Sequence, residues 1–129
     1  MNFIRRIHLY FLTALLAMSS VSVFSQQKNG GFATEDELKK QANKLFEAEN
    51  FDEAFPLFTQ LTSLYPKDPI YNYKLGVCML AAFDDKEKSV QYLEFAVGKP
   101  GMDKEILYYL ARAYHLNYRF DDAIAKYNE

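Results

Sequence analysis

One spacing limits what this chain can become. Ala42, Gly76 and Ala111 lie 34 and 35 residues apart, and each keeps similar company. Leu38 and Leu45 flank Ala42, and Phe51, Ala54, Phe58 and Leu61 follow before Pro66 closes the unit. Leu75, Met79, Ser89, Leu93 and Ala96 form the same series around Gly76. Around Ala111 it reappears as Leu107, Leu110, Tyr114, Phe120, Ala123 and Tyr127. Apolar residues separated by three and four positions mark amphipathic helices, here two per unit. A pair of helices cannot bury its apolar face alone, so such units must stack on their neighbours. The expected fold is all-α, a row of antiparallel helix pairs.

Turn and cap residues divide the row. Thr34, with Glu37 three positions later, reads as a capping box opening a helix over 35–47, and Glu49-Asn50 breaks it. A second helix is expected over 52–65, burying Ala54, Leu57, Phe58, Leu61 and Leu64 and tolerating Pro56 near its start. Asp68 as N-cap and Pro69 at the first helical position open a third helix, 70–82. Asp84-Asp85 can cap a fourth, 86–97. Gly98-Lys99-Pro100-Gly101 is a break, after which Asp103 is expected to cap a fifth helix, 104–116, and Phe120-Asp121-Asp122-Ala123 opens a sixth. The units are therefore 35–68, 69–103 and 104–129, the last incomplete, and more chain is expected after Glu129.

Residues 1–25 stand outside the repeat. Arg5 and Arg6 precede an apolar run, Ile7 to Met18, and small residues lead to Val23-Phe24-Ser25. That order is the one a secretory signal peptide presents to the export machinery. The run of about 12 residues falls short of the ~20 that span a bilayer as a helix. Cleavage is expected between Ser25 and Gln26, leaving 13 basic against 17 acidic residues. Residues 26–33, QQKNGGFA, read as a flexible lead-in.

The 34-residue period, the L-G pair at Leu75-Gly76 and the Ala-x3-Phe at Ala54–Phe58, closed by Pro66, resemble the tetratricopeptide repeat over residues 35–129. The resemblance implies a right-handed superhelix in which the first helix of each pair lines an inner wall that binds peptides or partner helices. Groove-facing positions would then be Asp36, Lys39, Asn43 and Phe46 in the first unit. The second would supply Ile70, Tyr73, Lys74, Val77 and Leu80, and the third Glu105, Tyr108, Tyr109, Arg112 and His115. LKKQANKLFEAENFDEAF is similar to the first unit of carboxylate-clamp co-chaperones, in which Lys39 and Asn43 would hold a peptide carboxylate. The rest of that clamp is replaced, by Lys74, Glu105 and Tyr109. The binding set expected from the resemblance is Lys39, Asn43, Tyr73, Lys74, Val77, Tyr108 and Arg112, with Lys39, Lys74 and Arg112 suited to an acidic segment. Signal peptide and repeats together resemble envelope proteins of gliding, protein-secreting Gram-negative bacteria that carry an OmpA-type domain further on. A periplasmic location, or the periplasmic side of the outer membrane, is what that implies, with membrane association only through partners or later domains. The function so implied is an envelope scaffold, or else a periplasmic chaperone holding client peptides transiently.

Little else in the chain carries chemistry. Ten Tyr and 11 Phe, with no Trp, fit the interlocking rings of such helices. A formal charge of −2 without a basic cluster does not fit a nucleic-acid binder. Cys78 is the lone cysteine, so no intrachain disulfide forms, and in a packed helix it reads as a small hydrophobe. His8 and His115 have no companion ligands for zinc. Asp84-Asp85 and Asp121-Asp122 stand at helix starts, where the dipole favours them. Gly30-Gly31 lacks the Lys and Ser/Thr of a phosphate loop. No catalytic constellation or cofactor motif is present, so no enzyme activity and no cofactor are expected. The exported protein should begin at Gln26; N-terminal sequencing of envelope-located protein that finds Met1 would contradict this.

Overall fold

The computed structural model describes residues 34–83 and 86–129. The expected signal peptide, the lead-in and the Asp84-Asp85 cap lie outside them. Helices α1 (Glu35–Glu47) and α2 (Phe51–Leu64) form the first hairpin. In the second, α3 (Pro69–Cys78) runs into a π-helical turn, Met79–Phe83, and is followed by α4 (Lys86–Ala96). Helices α5 (Glu105–Leu116) and α6 (Phe120–Tyr127) form the third. Each helix packs on the one before it and the one after, and no strand occurs among the described residues.

Local chemistry sets the ends. Thr34 Oγ1 accepts from Glu37 N at 3.3 Å, and the first turn of α1 carries Glu35, Asp36 and Glu37 against its dipole. Asp68 Oδ1 accepts from Ile70 N at 2.8 Å and Tyr71 N at 3.0 Å, with Pro69 at the first helical position. Two hairpin turns share one construction. Glu49 and Tyr118 take left-handed φ values of 58° and 61°, and Asn50 N and Arg119 N each donate 2.9 Å back, to Leu45 O and Tyr114 O. The second unit is longer by a residue, and its π-helical turn, with more residues per turn, takes up the excess.

Three expectations are corrected. Helix α2 starts and stops one residue earlier than read, and Leu64 is 57% exposed. Its buried stripe is Ala54, Phe58, Leu61 and Thr62, and Leu64 falls on the flank of that stripe. Thr62 was not foreseen, because a hydroxyl gives no apolar signal, and its Oγ1 has no hydrogen-bond partner among the described residues. Asp103 does not cap α5 with its side chain: Lys104 is already helical at the cap position, and Asp103 O accepts from Ile106 N at 3.3 Å. Pro56 behaves as expected, since α2 continues through it to Leu64.

Two clusters make the core. Leu38, Ala42, Ala54, Phe58, Leu61, Tyr71, Leu75, Cys78 and Met79 fill the first, and Val77, Leu80, Val90, Leu93, Ala96, Ile106, Leu110, Ala113, Tyr114 and Ala123 the second. Helix α3 feeds both, with Leu75 and Cys78 on one side and Val77 and Leu80 on the other. That sandwiching buries every residue from Leu75 to Leu80. At its centre Gly76 meets α4 so closely that an added Cβ would lie 2.9 Å from Leu93 Cγ and 3.2 Å from Tyr92 Cβ. Ser89, where alanine is usual, is fully buried and donates to Lys86 O at 2.7 Å, which satisfies its hydroxyl.

Two substitutions test this packing. Gly76→Ala should gain up to ~1 kcal/mol of helix propensity and lose about 1–3 kcal/mol to the clash, a net lowering of the melting temperature. Ala54→Asp, at a site with no exposure, should cost several kcal/mol and unfold the first hairpin. Melting curves unchanged by both would mean the helices do not meet in this register.

Candidate functional site: the face of the first helices

The first helix of each hairpin, α1, α3 and α5, contributes to one line of rings. Phe46 on α1 touches Phe58 and Phe51 of α2, with centroids 5.8 and 5.4 Å away, and Tyr73 of α3 at 6.3 Å. Tyr73 meets Tyr109 of α5 at 6.1 Å, Tyr109 meets Tyr108 at 5.3 Å, and Tyr108 reaches Tyr127 of α6 at 6.3 Å. Edge-to-face or tilted rings at these separations attract beyond simple burial. The line begins half-buried at Phe46 and ends exposed, with Tyr108 at 53%. Packing thus holds the rings that a ligand would touch.

Lys74 sits at the buried end. Its ammonium donates to Asn43 Oδ1 at 2.5 Å and lies 4.9 Å from the Phe46 centroid and 5.8 Å from that of Phe58. Burial lowers its pKa, and nearby Glu47 offsets part of that. A half-buried cation with aromatic faces around it is still short of anionic partners. Lys39 is exposed, with its ammonium 6.0 Å from the Tyr71 centroid. Arg112 is exposed too, close enough to Tyr109 to act on its hydroxyl.

The expected set is therefore brought together only in part. Asn43 is joined to Lys74, so the pairing of Lys39 with Asn43 on one anion is not the contact seen. Lys39 lies by Tyr71, Lys74 by Phe46 and Phe58, and Arg112 acts on the Tyr109 hydroxyl, so the three cations do not share one set of rings. Tyr73 and Tyr108 belong to the line of rings. Val77 does not belong to the face at all: it has no exposure and packs in the second core cluster, as does Leu80 at 4%. Helix α3 is covered on two sides, so an apolar residue there serves the core. Sequence reasoning left Glu49 out, as a mere helix breaker. His115 packs edge-on to Phe120 at 5.6 Å. Cys78 is fully buried, and burial pushes its thiol up to about 12, the opposite of an activated nucleophile. No group of three or more potential metal ligands occurs among the described residues.

A tetratricopeptide-repeat family model matches residues 39–87 and again 80–129. The chain belongs to the tetratricopeptide-repeat family. The six helices and their repeated register are that family's helical repeat fold. Its repeats generally mediate protein–protein interaction, typically without catalysis. No curated protein matches the sequence at a significant level.

Packing in this tetratricopeptide domain leaves a titration signature. Burial, then Glu35, pushes Tyr71 up to about 12, and burial, then Glu94, does the same to Tyr114. Burial, followed by the Glu105 carboxylate, raises Tyr73 and Tyr109. These groups and Cys78 keep protons in the fold that the unfolded chain releases near ordinary tyrosine and thiol values. Their stabilisation is complete below about pH 9 and drains away as pH rises through the folded values. Lys74, lowered by burial, acts in the opposite sense over the same range, and the raised groups outnumber it. The urea midpoint should fall from pH 9 to pH 11, and Tyr73→Phe should flatten the fall. A midpoint constant or rising over that range would contradict the burial of these phenols.

Proposed function

We propose that this protein is an exported scaffold of a Gram-negative cell envelope, and that the face formed by α1, α3 and α5 holds a segment of a partner protein. The observation that carries the binding half is the line Phe46–Tyr73–Tyr109–Tyr108, which presents rigid rings beside an under-neutralised Lys74. Rigid aromatics flanked by charge are what partner recognition uses, since little side-chain entropy is lost on contact. An acidic group of the partner would satisfy Lys74, with Lys39 and Arg112 adding long-range attraction. Support for export comes from the basic, apolar and small-residue order of residues 1–25. Location in the periplasm or at the inner side of the outer membrane follows from that export, with membrane contact through partners. No helix among the described residues is long and apolar enough to cross a membrane.

A second reading, a periplasmic assembly factor that holds clients briefly, draws on the exposed end of the ring line, since Tyr108 and Tyr127 are 53% and 49% exposed. The two readings differ in the number and lifetime of partners. A photoreactive phenylalanine placed at Tyr108 in producing cells should give one defined protein adduct, and the same group at the exposed Glu53 of α2 should give none. Many adducts of graded size at Tyr108 would favour the assembly factor. No adduct at Tyr108, or equal labelling at both places, would contradict use of this face.

A further inference from the structure

The face has two electrical poles. At one, Lys74 and Asn43 lie against Phe46, with Glu47 and Lys39 acting on the ammonium in opposite senses. At the other, Glu105 opens α5 three and four residues before Tyr108 and Tyr109, on the same helix face. Its charge acts on the Tyr73 and Tyr109 phenols, as Asp103 does on Tyr73 and Glu49 on Tyr109, with Arg112 opposing at Tyr109. Glu49 lies in the turn after α1, where its backbone is left-handed, φ 58°, and its N–H donates 3.0 Å to Phe46 O. Tyrosine faces are themselves electron-rich, so carboxylates beside exposed rings make a seat for a cation.

We propose that the Tyr73–Tyr109–Tyr108 end takes a Lys or Arg of the bound segment while Lys74 and Asn43 take a carboxylate, so that the occupant is an extended mixed-charge segment held in one direction. The proposal rests on the scaffold reading and names the partner's chemistry. Two ring-to-ring steps, 6.3 and 6.1 Å, connect Phe46 to Tyr109, so these two rings lie within about 12 Å, the reach of roughly four extended residues. A wholly acidic segment would set a carboxylate against Glu49 and Glu105, where like charges repel. A wholly basic one would leave Lys74 worse off than before binding. Opposite charges a few residues apart satisfy both ends, and reversing their order satisfies neither.

Random 12-residue peptides displayed on phage, selected on the full protein and on the Glu49→Gln/Glu105→Gln variant, test this. Both replaced residues are exposed, so the variant should keep the wild-type melting curve. Selection on the wild type should enrich an acidic and a basic residue three to five positions apart in one fixed order. A synthetic peptide of that sequence should bind the variant about tenfold more weakly, and exchanging its two charges should weaken binding to the wild type to a similar degree. Enriched peptides without a basic residue, whose binding Tyr108→Ala and Lys74→Met abolish, would overturn the two-pole inference and leave the scaffold reading standing. No enrichment, or binding indifferent to those two replacements, would overturn both. Self-association of the protein that the Glu49→Gln/Glu105→Gln variant weakens would make a second copy the occupant, which also overturns the proposal.

Discussion

Helices α3 and α4 approach each other closely at Gly76, and the remainder depends on it. A side chain there would meet Leu93 at 2.9 Å, so these helices stand too near to admit even a methyl group without a shift. Ala42 and Ala111 are fully buried at the equivalent points of the other hairpins. Close helix pairs leave room for large residues only at set positions, and that is where Phe58, Leu93 and Leu110 are buried. Packing at interior density then removes the freedom of each hairpin to rotate against the next. Stacking in a fixed register is what brings rings from α1, α3 and α5 into one line.

The hairpins were legible in the sequence because period, caps and small residues all pointed the same way. Thr34, Asp68 and Pro69 do at the helix starts what their types imply. The misses have physical reasons as well. Leu64 is apolar, yet it lies off the stripe that α2 turns inward. Asp103 is a good cap residue, yet the chain is already helical at Lys104, so its carbonyl serves instead. The π-helical turn replaced a simple α end because the extra residue of the second unit needs somewhere to go.

The candidate site was less legible than the fold. A family pattern names the face of a helix, but it cannot say that the middle first helix is covered on both sides. For that reason Val77 was assigned to the groove and is found in the core. Nor could spacing reveal that Asn43 turns to Lys74 rather than to an anion shared with Lys39. What the structure adds is a gradient along the face, from a half-buried lysine on phenylalanine rings to exposed tyrosines beside carboxylates. Burial and charge together give this face its chemical character, and neither is visible in the repeat pattern.

The binding face exists only if the line of rings runs across all three hairpins. Proton–proton contacts between specifically labelled Phe46, Tyr73 and Tyr109, read by nuclear magnetic resonance, examine it most directly. Ring-to-ring cross-peaks are expected for Phe46–Tyr73 and Tyr73–Tyr109, whose centroids lie 6.3 and 6.1 Å apart. Rings that show only contacts within their own hairpins would mean the units do not stack in this register, and the face with its two poles would not exist.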